Sequence, residues 1–249
     1  MNVNNISLHC HLWYLEESKF LLDKLSTVFK DVINISFNKG GEHNEVIKAY
    51  AEDKFKTVNT TFVENMGNDQ IGFYESHSMH EDESKEWVLY AHDKQLKDRN
   101  WVSDLIDPLL TEESISLTGE ENDVGMIISK KRELGLVTEQ DLILGKNTNP
   151  TPFEDKKSVA YSLHTLGWLR ILQYNLYENY GFISKENLDV AFAAGTMFMT
   201  RRQVINIAHG CLHMNYFDKG YMPDGQVEHA MERFYAYVSK CLEYETRSI

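Results

Sequence analysis

Three separated segments of this chain carry side chains that can do chemistry, and the first is a polar run after an apolar strand. His92, Asp93 and Lys94 directly follow Trp87–Ala91. Three titratable groups in a row are costly to bury, so the run is expected at an open rim of the fold. A carboxylate there can hold a divalent cation against a diphosphate, and a lysine can offset phosphate charge directly. The alternative interpretation is a solvated strand end that binds nothing.

The second segment is an apolar run that contains a glycine and a threonine. Gly195 and Thr196 lie inside Ala194–Met199, and Arg201 and Arg202 follow. A glycine within a strand pattern marks the close approach of a neighbour or a ligand. The residues alone favour a buried strand with a tightly packed glycine, which does not account for the polar Thr196. The alternative is a binding site bordered by Gly195 and Thr196, with one arginine facing a diphosphate and the other solvent.

The third segment is the start of a C-terminal helix. Asp224 is the expected N-cap, and Glu228 lies in the first turn or just past it, where the helix dipole favours an acid. Capping and the dipole alone account for both acids. A carboxylate beside His229 can also take a proton from a hydroxyl, a step worth about 10²–10⁴ in rate. We name Glu228 as a candidate general base, oriented by Asp224 or His229.

Two smaller groups complete the candidate set. His9 and His11 share one face of the expected first strand, so they point together toward a ligand or into the core. Asn65, Gly67 and Asp69 have the composition of a plain turn. Alternatively, the glycine lets a ligand approach the backbone closely while the amide and the carboxylate hydrogen-bond its hydroxyls.

The hydrophobic pattern alternates short strands with amphipathic helices and fits one α/β domain over residues 1–249. This order predicts a mostly parallel central sheet flanked by helices. In such sheets ligands bind at the carboxyl ends of the strands, so the polar segments are expected to converge there. Strands are expected at Ile6–Tyr14, Val32–Phe37, Lys56–Val63, Trp87–Ala91, Val124–Ser129 and Val190–Met199, and helices at Glu16–Phe29, Glu45–Ala51, Trp101–Leu110, Ser158–Tyr180 and beyond Gln203.

Composition excludes several classes of function. A net charge of −13 disfavours a nucleic-acid partner, which needs clustered lysine and arginine. Three cysteines without metal-ligand spacing indicate a reducing compartment, hence the cytoplasm. No window approaches the ~20 apolar residues of a transmembrane helix, while peripheral attachment to the inner face of a membrane is left open. The glycine-rich motifs of dinucleotide-binding and P-loop enzymes are absent from the sequence.

Taken together, six segments resemble the rhamnan synthesis protein F family of bacterial polysaccharide glycosyltransferases. The resemblance spans Leu8–Phe234, and the last two segments are the most specific. It implies a GT-A-like fold for nucleotide-diphosphate sugars, and transfer of rhamnose or another hexose to a carbohydrate acceptor in the synthesis of a surface polysaccharide such as a capsule or O-antigen. The segments are HCHLWY, NMGND, WVLYAHDK with the following W-x-x-x-L-x-x-P-L-L, DVGMI, FAAGTMFM-x-R and EHAMER.

Under this hypothesis the reaction inverts the configuration at the anomeric carbon of the transferred sugar. The family usually has arginine where this chain has Asn68, and its strand end is closer to His-Thr-Lys than to the sequence around Asp93. Metal use is therefore left open between Mg²⁺ or Mn²⁺ at Asp93 and a metal-independent reaction. A non-catalytic glycan-binding or assembly module with the same fold is the alternative function. The expected roles are donor binding by His9, His11, Asn65, Gly67, Asp69, His92, Asp93 and Lys94, acceptor binding by Gly195, Thr196 and Arg201, and catalysis by Glu228, Asp224 and His229.

Overall fold

A seven-stranded sheet with helices on both faces forms the centre of the molecule, and a two-stranded sheet lies apart from it. The computed structural model describes residues 3–66, 68–93, 99–119, 123–135, 156–182, 191–193, 195–217 and 226–249. The strands are β1 (Ile6–His11), β2 (Val32–Asn38), β3 (Thr57–Val63), β4 (Trp87–His92), β5 (Val124–Ile128), β6 (Glu133–Gly135), β7 (Ala191–Ala193), β8 (Phe198–Arg201) and β9 (Glu245–Ser248).

The helices fill both sides of the central sheet. Among the described residues, no helix combines the length and the unbroken apolar character needed to cross a bilayer. The helices are α1 (Leu15–Leu25), α2 (Asn44–Glu52), α3 (Asn68–His80), α4 (Arg99–Leu109), α5 (Glu112–Leu117), α6 (Lys156–Tyr180), α7 (Arg202–Gly210) and α8 (Val227–Cys241), with 3₁₀ turns at Lys130–Arg132 and Met214–Tyr216.

The sheet is mixed, because six of its strands run in the same direction and the seventh runs antiparallel to them. The strand order is β3-β2-β1-β4-β8-β5-β9, and β8 runs antiparallel to both β4 and β5. The prediction of an α/β fold with a mostly parallel sheet flanked by helices is confirmed. Because β8 is reversed, the residues just before it lie at the same edge as the carboxyl ends of the parallel strands.

Alternation along the strands divides the apolar core into two layers. In β4, Trp87 and Leu89 are fully buried in the layer beneath α1 and α4, whereas Val88 and Tyr90 are buried in the layer beneath α3 and α8. Each fully buried large side chain contributes about 1.5–3 kcal/mol relative to exposure. These two layers fix the sheet between the helices and so hold its carboxyl edge rigidly.

One buried patch of the sheet, on the face covered by α3, is polar and not apolar. Ser7, His9 and His11 alternate with the apolar residues of β1, and their face of the strand lies under α3. Helix α3 approaches this face closely because it has a glycine there. A Cβ at Gly72 would lie 2.2 Å from His11 Nδ1 and 2.6 Å from Ser36 Oγ. The close contact sets the height of α3, and therefore of its first turn, above the sheet.

Candidate functional site

Polar side chains from five elements meet at the carboxyl edge of the sheet, and we call this group the rim cluster. His11 ends β1, His92 ends β4, and the two are paired across these strands. His11, His92 and Thr196 are buried, whereas the side chain of Asp69 is 17% exposed. The cluster consists of His11, Asp69 in the first turn of α3, His92, Thr196 just before β8, and Glu232 on α8.

His92 is held by two backbone carbonyl groups. Its Nδ1 lies 3.0 Å from the Asp93 carbonyl oxygen, and its Nε2 lies 2.6 Å from the Gly195 carbonyl oxygen. A carbonyl oxygen only accepts hydrogen bonds, so making both bonds together requires the doubly protonated imidazolium. Asp69 Oδ2, 4.0 Å from Nε2, supplies an opposing charge. Through these two contacts His92 ties β4 to the turn before β8.

That turn has an unusual backbone conformation. Gly195 has a φ of 91° and Thr196 a φ of 56°. Positive φ is rare for a β-branched residue and costs about 1–3 kcal/mol, so other contacts must hold the turn in place. Thr196 Oγ1 donates to Glu232 Oε1 at 3.0 Å, and the Trp101 ring packs where a Cβ of residue 195 would lie. Strain maintained by several contacts is typical of functional sites.

The histidine beside His92 is neutral. Burial lowers the pKa of His11 to about 4, although the nearby Asp69 charge opposes the shift. Its Nδ1 lies 3.0 Å from Ser36 Oγ. The rim thus offers two imidazoles, those of His11 and His92, side by side on paired strands.

Asp93 anchors the start of α1. Its Oδ2 accepts from the backbone N–H of Trp13 at 2.8 Å, the backbone N–H of Tyr14 at 2.7 Å and the Ser18 hydroxyl at 2.7 Å. Two of these donors belong to the residues just before α1 and the third lies on the helix, so the carboxylate fixes how the chain enters α1. Burial nevertheless raises the pKa of Asp93 to about 6.

The contacts of Asp93 do not fit a metal ligand. Its Oδ2 is committed to three donors of the chain itself. Within the part of the chain that the structure describes, no group of three or more His, Cys, Asp and Glu residues could hold a metal ion. We therefore assign Asp93 to positioning α1.

Asp93→Asn is expected to change how stability depends on pH. A folded-state pKa of about 6, above the ordinary aspartate value of 3.8, stabilises the fold at low pH, and this contribution is lost as pH rises through 6. Asparagine does not titrate, so the free energy of unfolding of the variant minus that of wild type should increase by about 2 kcal/mol between pH 4 and pH 7. Urea unfolding at several pH values measures this difference. The titration of histidines contributes equally to the stability of both proteins and therefore cancels. If the difference between the two proteins did not change with pH, the raised pKa of Asp93 would be contradicted.

His9 lies in the core and not at the rim. Its Nε2 is 3.0 Å from Ser7 Oγ, and its Nδ1 is 3.1 Å from Ser76 Oγ. Burial, with smaller contributions from His77 and His80, holds the pKa of His9 well below 6.5. These contacts match the structural alternative for His9, so we leave it out of the proposed site.

The turn after β3 is described only in part. Asn65 is exposed and accepts a long hydrogen bond, 3.5 Å, from Asn38 Nδ2. Gly67, Lys94 and Asp224 lie outside the described residues. Their predicted roles stay predictions.

Arg201 is separated from the residues with which the sequence groups it. Because β8 is antiparallel, Gly195 and Thr196 lie at the carboxyl edge while Arg201 lies at the opposite edge, paired with Trp87 at the start of β4. Its guanidinium is engaged by the Glu86 carboxylate and by the Val124 carbonyl oxygen. This corrects the expectation that Arg201 serves the same site as the glycine and threonine. It instead lines a surface pocket of about 550 Å³ at the far edge.

Helix α8 brings two acids over the rim. It leads into β9, whose first residue pairs with the start of β5, so its own first turn lies at the carboxyl edge. Glu228 is 3% exposed in that turn. Residues four apart share a helix face, which puts Glu228 one turn further out than Glu232. The ring of His229, half-buried beside it, has an enclosed Nδ1 without a hydrogen-bond partner among the described residues.

Nearly the whole chain matches one known protein family. The family model of rhamnan synthesis protein F matches residues 1–244 of the 249-residue chain. The chain belongs to this family. Membership places it in rhamnan or related polysaccharide synthesis. No curated protein matches the chain.

Four of the segments that resemble the rhamnan synthesis protein F family meet at the rim. They contribute His11, the His92–Asp93 pair, the Gly195–Thr196 turn and the first turns of α8. The architecture of this member is consistent with a fold of the nucleotide-sugar transferase type.

The sequence pattern does not single out some side chains that shape the site. Glu232 bonds Thr196, and the Tyr90 hydroxyl donates to the Asp69 carbonyl oxygen at 2.7 Å. Glu232 could have been found, because it follows Glu228 by four residues on a helix and therefore shares its face. Tyr90 lies in an apolar strand pattern, and nothing in that pattern indicates that its hydroxyl fixes the first turn of α3.

Proposed function

We propose that this chain is a glycosyltransferase that moves a sugar, rhamnose or another hexose, from a nucleotide-diphosphate donor to a carbohydrate acceptor with inversion. The rim cluster carries the proposal, because it brings carboxylates, two imidazoles and a strained turn together at the edge where α/β sheets bind ligands. The family supports a role in polysaccharide synthesis. The fold is then of the GT-A kind.

Donor binding is proposed for the residues at the ends of β1, β4 and β3. Asp69, whose side chain is partly exposed, accepts hydrogen bonds from donor hydroxyls. His11 hydrogen-bonds the nucleotide as a neutral imidazole, since its pKa of about 4 keeps it uncharged at pH 7. His92 supplies positive charge for the diphosphate in this proposal, and Lys94 keeps the same predicted role from its sequence position directly after Asp93.

Glu228 is the proposed general base. As the acceptor oxygen attacks the anomeric carbon, its proton passes to the Glu228 carboxylate and the bond from that carbon to the donor phosphate oxygen breaks. The nucleoside diphosphate leaves with the bonding electron pair and one additional negative charge. Stabilising that charge is the main electrostatic task, and the imidazolium of His92 serves it.

A non-catalytic glycan-binding or assembly module is the second candidate. The burial of Glu228, with 3% of its surface exposed, favours this alternative, because a base must reach the acceptor hydroxyl. The commitment of Asp93 to the start of α1 favours it too. The two candidates differ in whether a donor is consumed.

Release of nucleoside diphosphate from UDP-, dTDP- and GDP-sugars, measured with and without rhamnan oligosaccharides, tests the proposal. A transferase releases diphosphate faster when the acceptor is present, whereas a binding module releases none from any donor. Asp69→Asn should raise the KM for the donor by about 10–100-fold, since hydrogen bonds to a charged group contribute about 1.5–3 kcal/mol. Asp82→Asn, an exposed carboxylate at the opposite edge, is the matched control and should leave KM unchanged. Equal KM values for all three proteins would remove Asp69 from the donor site.

A further inference from the structure

A chain of buried hydrogen bonds runs from α7 to the rim. His209 Nε2 lies 3.1 Å from the Tyr235 hydroxyl, which lies 3.1 Å from Gln70 Oε1. Gln70 Nε2 lies 3.2 Å from Asp69 Oδ2. His209 is 8% exposed, Tyr235 fully buried and Gln70 1% exposed. Three different helices, α7, α8 and α3, therefore contribute to one polar connection that ends on the proposed donor-binding carboxylate.

Each bond in this chain has a defined direction. The Tyr235 hydroxyl donates its single proton to Gln70 Oε1, so its oxygen accepts from His209 Nε2–H. This fixes His209 as the neutral tautomer with its proton on Nε2. Burial, reinforced by His77 and His9, holds the pKa of His209 well below 6.5, which agrees with the neutral form.

The direction of these bonds orients the Gln70 amide. With its oxygen held by Tyr235, its nitrogen faces Asp69 and donates to the carboxylate. The opposite orientation would set the amide oxygen against Oδ2. The Tyr235 hydroxyl, donating to the amide oxygen, and the Asp69 carboxylate, accepting from the amide nitrogen, therefore favour the same orientation.

We propose that Gln70, Tyr235 and His209 are positioning residues that hold the Asp69 carboxylate for recognition of the donor sugar nucleotide. This rests on the proposed function. The Tyr90 hydroxyl holds the same residue mainly at its carbonyl oxygen, 2.7 Å away, and also lies 3.4 Å from Oδ2, while the buried chain adds the Gln70 amide as a donor to the carboxylate. A partly exposed acid at a helix start would otherwise adopt several rotamers, and pre-organising it reduces the entropy lost on binding.

Tyr235→Phe and Gln70→Met, singly and combined, test the proposal. Tyr235→Phe should raise the dissociation constant and KM for the best-binding of the UDP-, dTDP- and GDP-sugars about 5-fold with kcat within about 2-fold, the size expected for one net hydrogen bond. Because both changes break the same connection, the double variant should bind no more weakly than Gln70→Met alone.

Ser76→Ala is the matched control. It also removes a buried hydroxyl bonded to a buried histidine, His9, on α3, but it has no connection to Asp69. It should lower the melting temperature about as much as Tyr235→Phe and leave donor affinity unchanged. A general loss of packing would weaken donor binding in both variants.

The outcomes separate this inference from the proposed function. If wild type binds a donor and Tyr235→Phe binds it equally well, or if the effects of the two substitutions add, the positioning role is refuted while the proposed function stands. If wild type binds no sugar nucleotide, the proposed function fails and the positioning role fails with it. The ¹⁵N signals of His209 should show its proton on Nε2 in wild type, and the other tautomer would refute the connection.

Discussion

Replacing Glu228 with glutamine is expected to lower turnover by about 10²–10⁴-fold while donor affinity stays nearly unchanged. The amide has almost the shape of the carboxylate but cannot accept a proton from the acceptor hydroxyl. Glu228 lies in the first turn of α8, over the carboxyl edge of the sheet, while donor contacts are assigned to the ends of β1, β3 and β4. Steady-state release of nucleoside diphosphate gives turnover, and thermal shift with the donor gives affinity.

Glu232→Gln is the matched control, one turn later on the same helix face. Glu232 accepts from the Thr196 hydroxyl, and the glutamine oxygen can accept the same bond. Its turnover should therefore stay within a few-fold of wild type. Unchanged turnover in Glu228→Gln would remove Glu228 from the base role. A large loss in Glu232→Gln alone would transfer that role to Glu232.

Gly195→Ala is expected to destabilise the protein by about 2–5 kcal/mol, the sum of a left-handed alanine and an overpacked side chain. Its φ of 91° is unfavourable for any residue with a Cβ. The added Cβ would also lie 1.8 Å from Cη2 of the Trp101 ring, which belongs to α4 and packs on β8. Urea unfolding measures the change, and the displaced turn should also lower activity.

Gly167→Ala provides the contrast within the same chain. Gly167 lies in α6, and a Cβ added there would meet no atom of a neighbouring element within 4 Å, so alanine should stabilise the helix by up to about 1 kcal/mol. If Gly195→Ala unfolds at the same urea concentration as wild type, the turn does not have the left-handed conformation at residue 195, and Trp101 does not clamp it.

Most of the fold follows from hydrophobic periodicity, and the exceptions have physical causes. The sequence pattern predicts only a turn where α3 begins, because the buried side of this helix mixes Gln70, Ser76 and His77 with Ile71 and Phe73 and so lacks a continuous apolar stripe. The pattern also predicts helix where β9 lies, because the short polar stretch Glu245–Ser248 becomes a strand only by pairing with β5. Both elements depend on neighbours far away in the sequence.

The sequence predicts those parts of the candidate site whose positions follow from the order and direction of the strands. Polar residues after parallel strands meet at one edge, and this places His11, Asp69 and His92 together. The direction of β8 cannot be read from its pattern, so the sequence groups Arg201 with the wrong end of its strand. The role of Asp93 depends on three donors near the start of α1, contacts that only the tertiary structure supplies.

The central claim is that the rim binds a sugar nucleotide, and thermal unfolding with UDP-, dTDP- and GDP-sugars, each with and without Mn²⁺, tests it most directly. A ligand at about 100 times its dissociation constant adds about 2.7 kcal/mol to the folded state. We predict that one nucleotide class raises the melting temperature of wild type, and that Asp69→Asn loses most of this shift. A folded protein whose melting temperature no sugar nucleotide changes, with or without the metal, would contradict the claim.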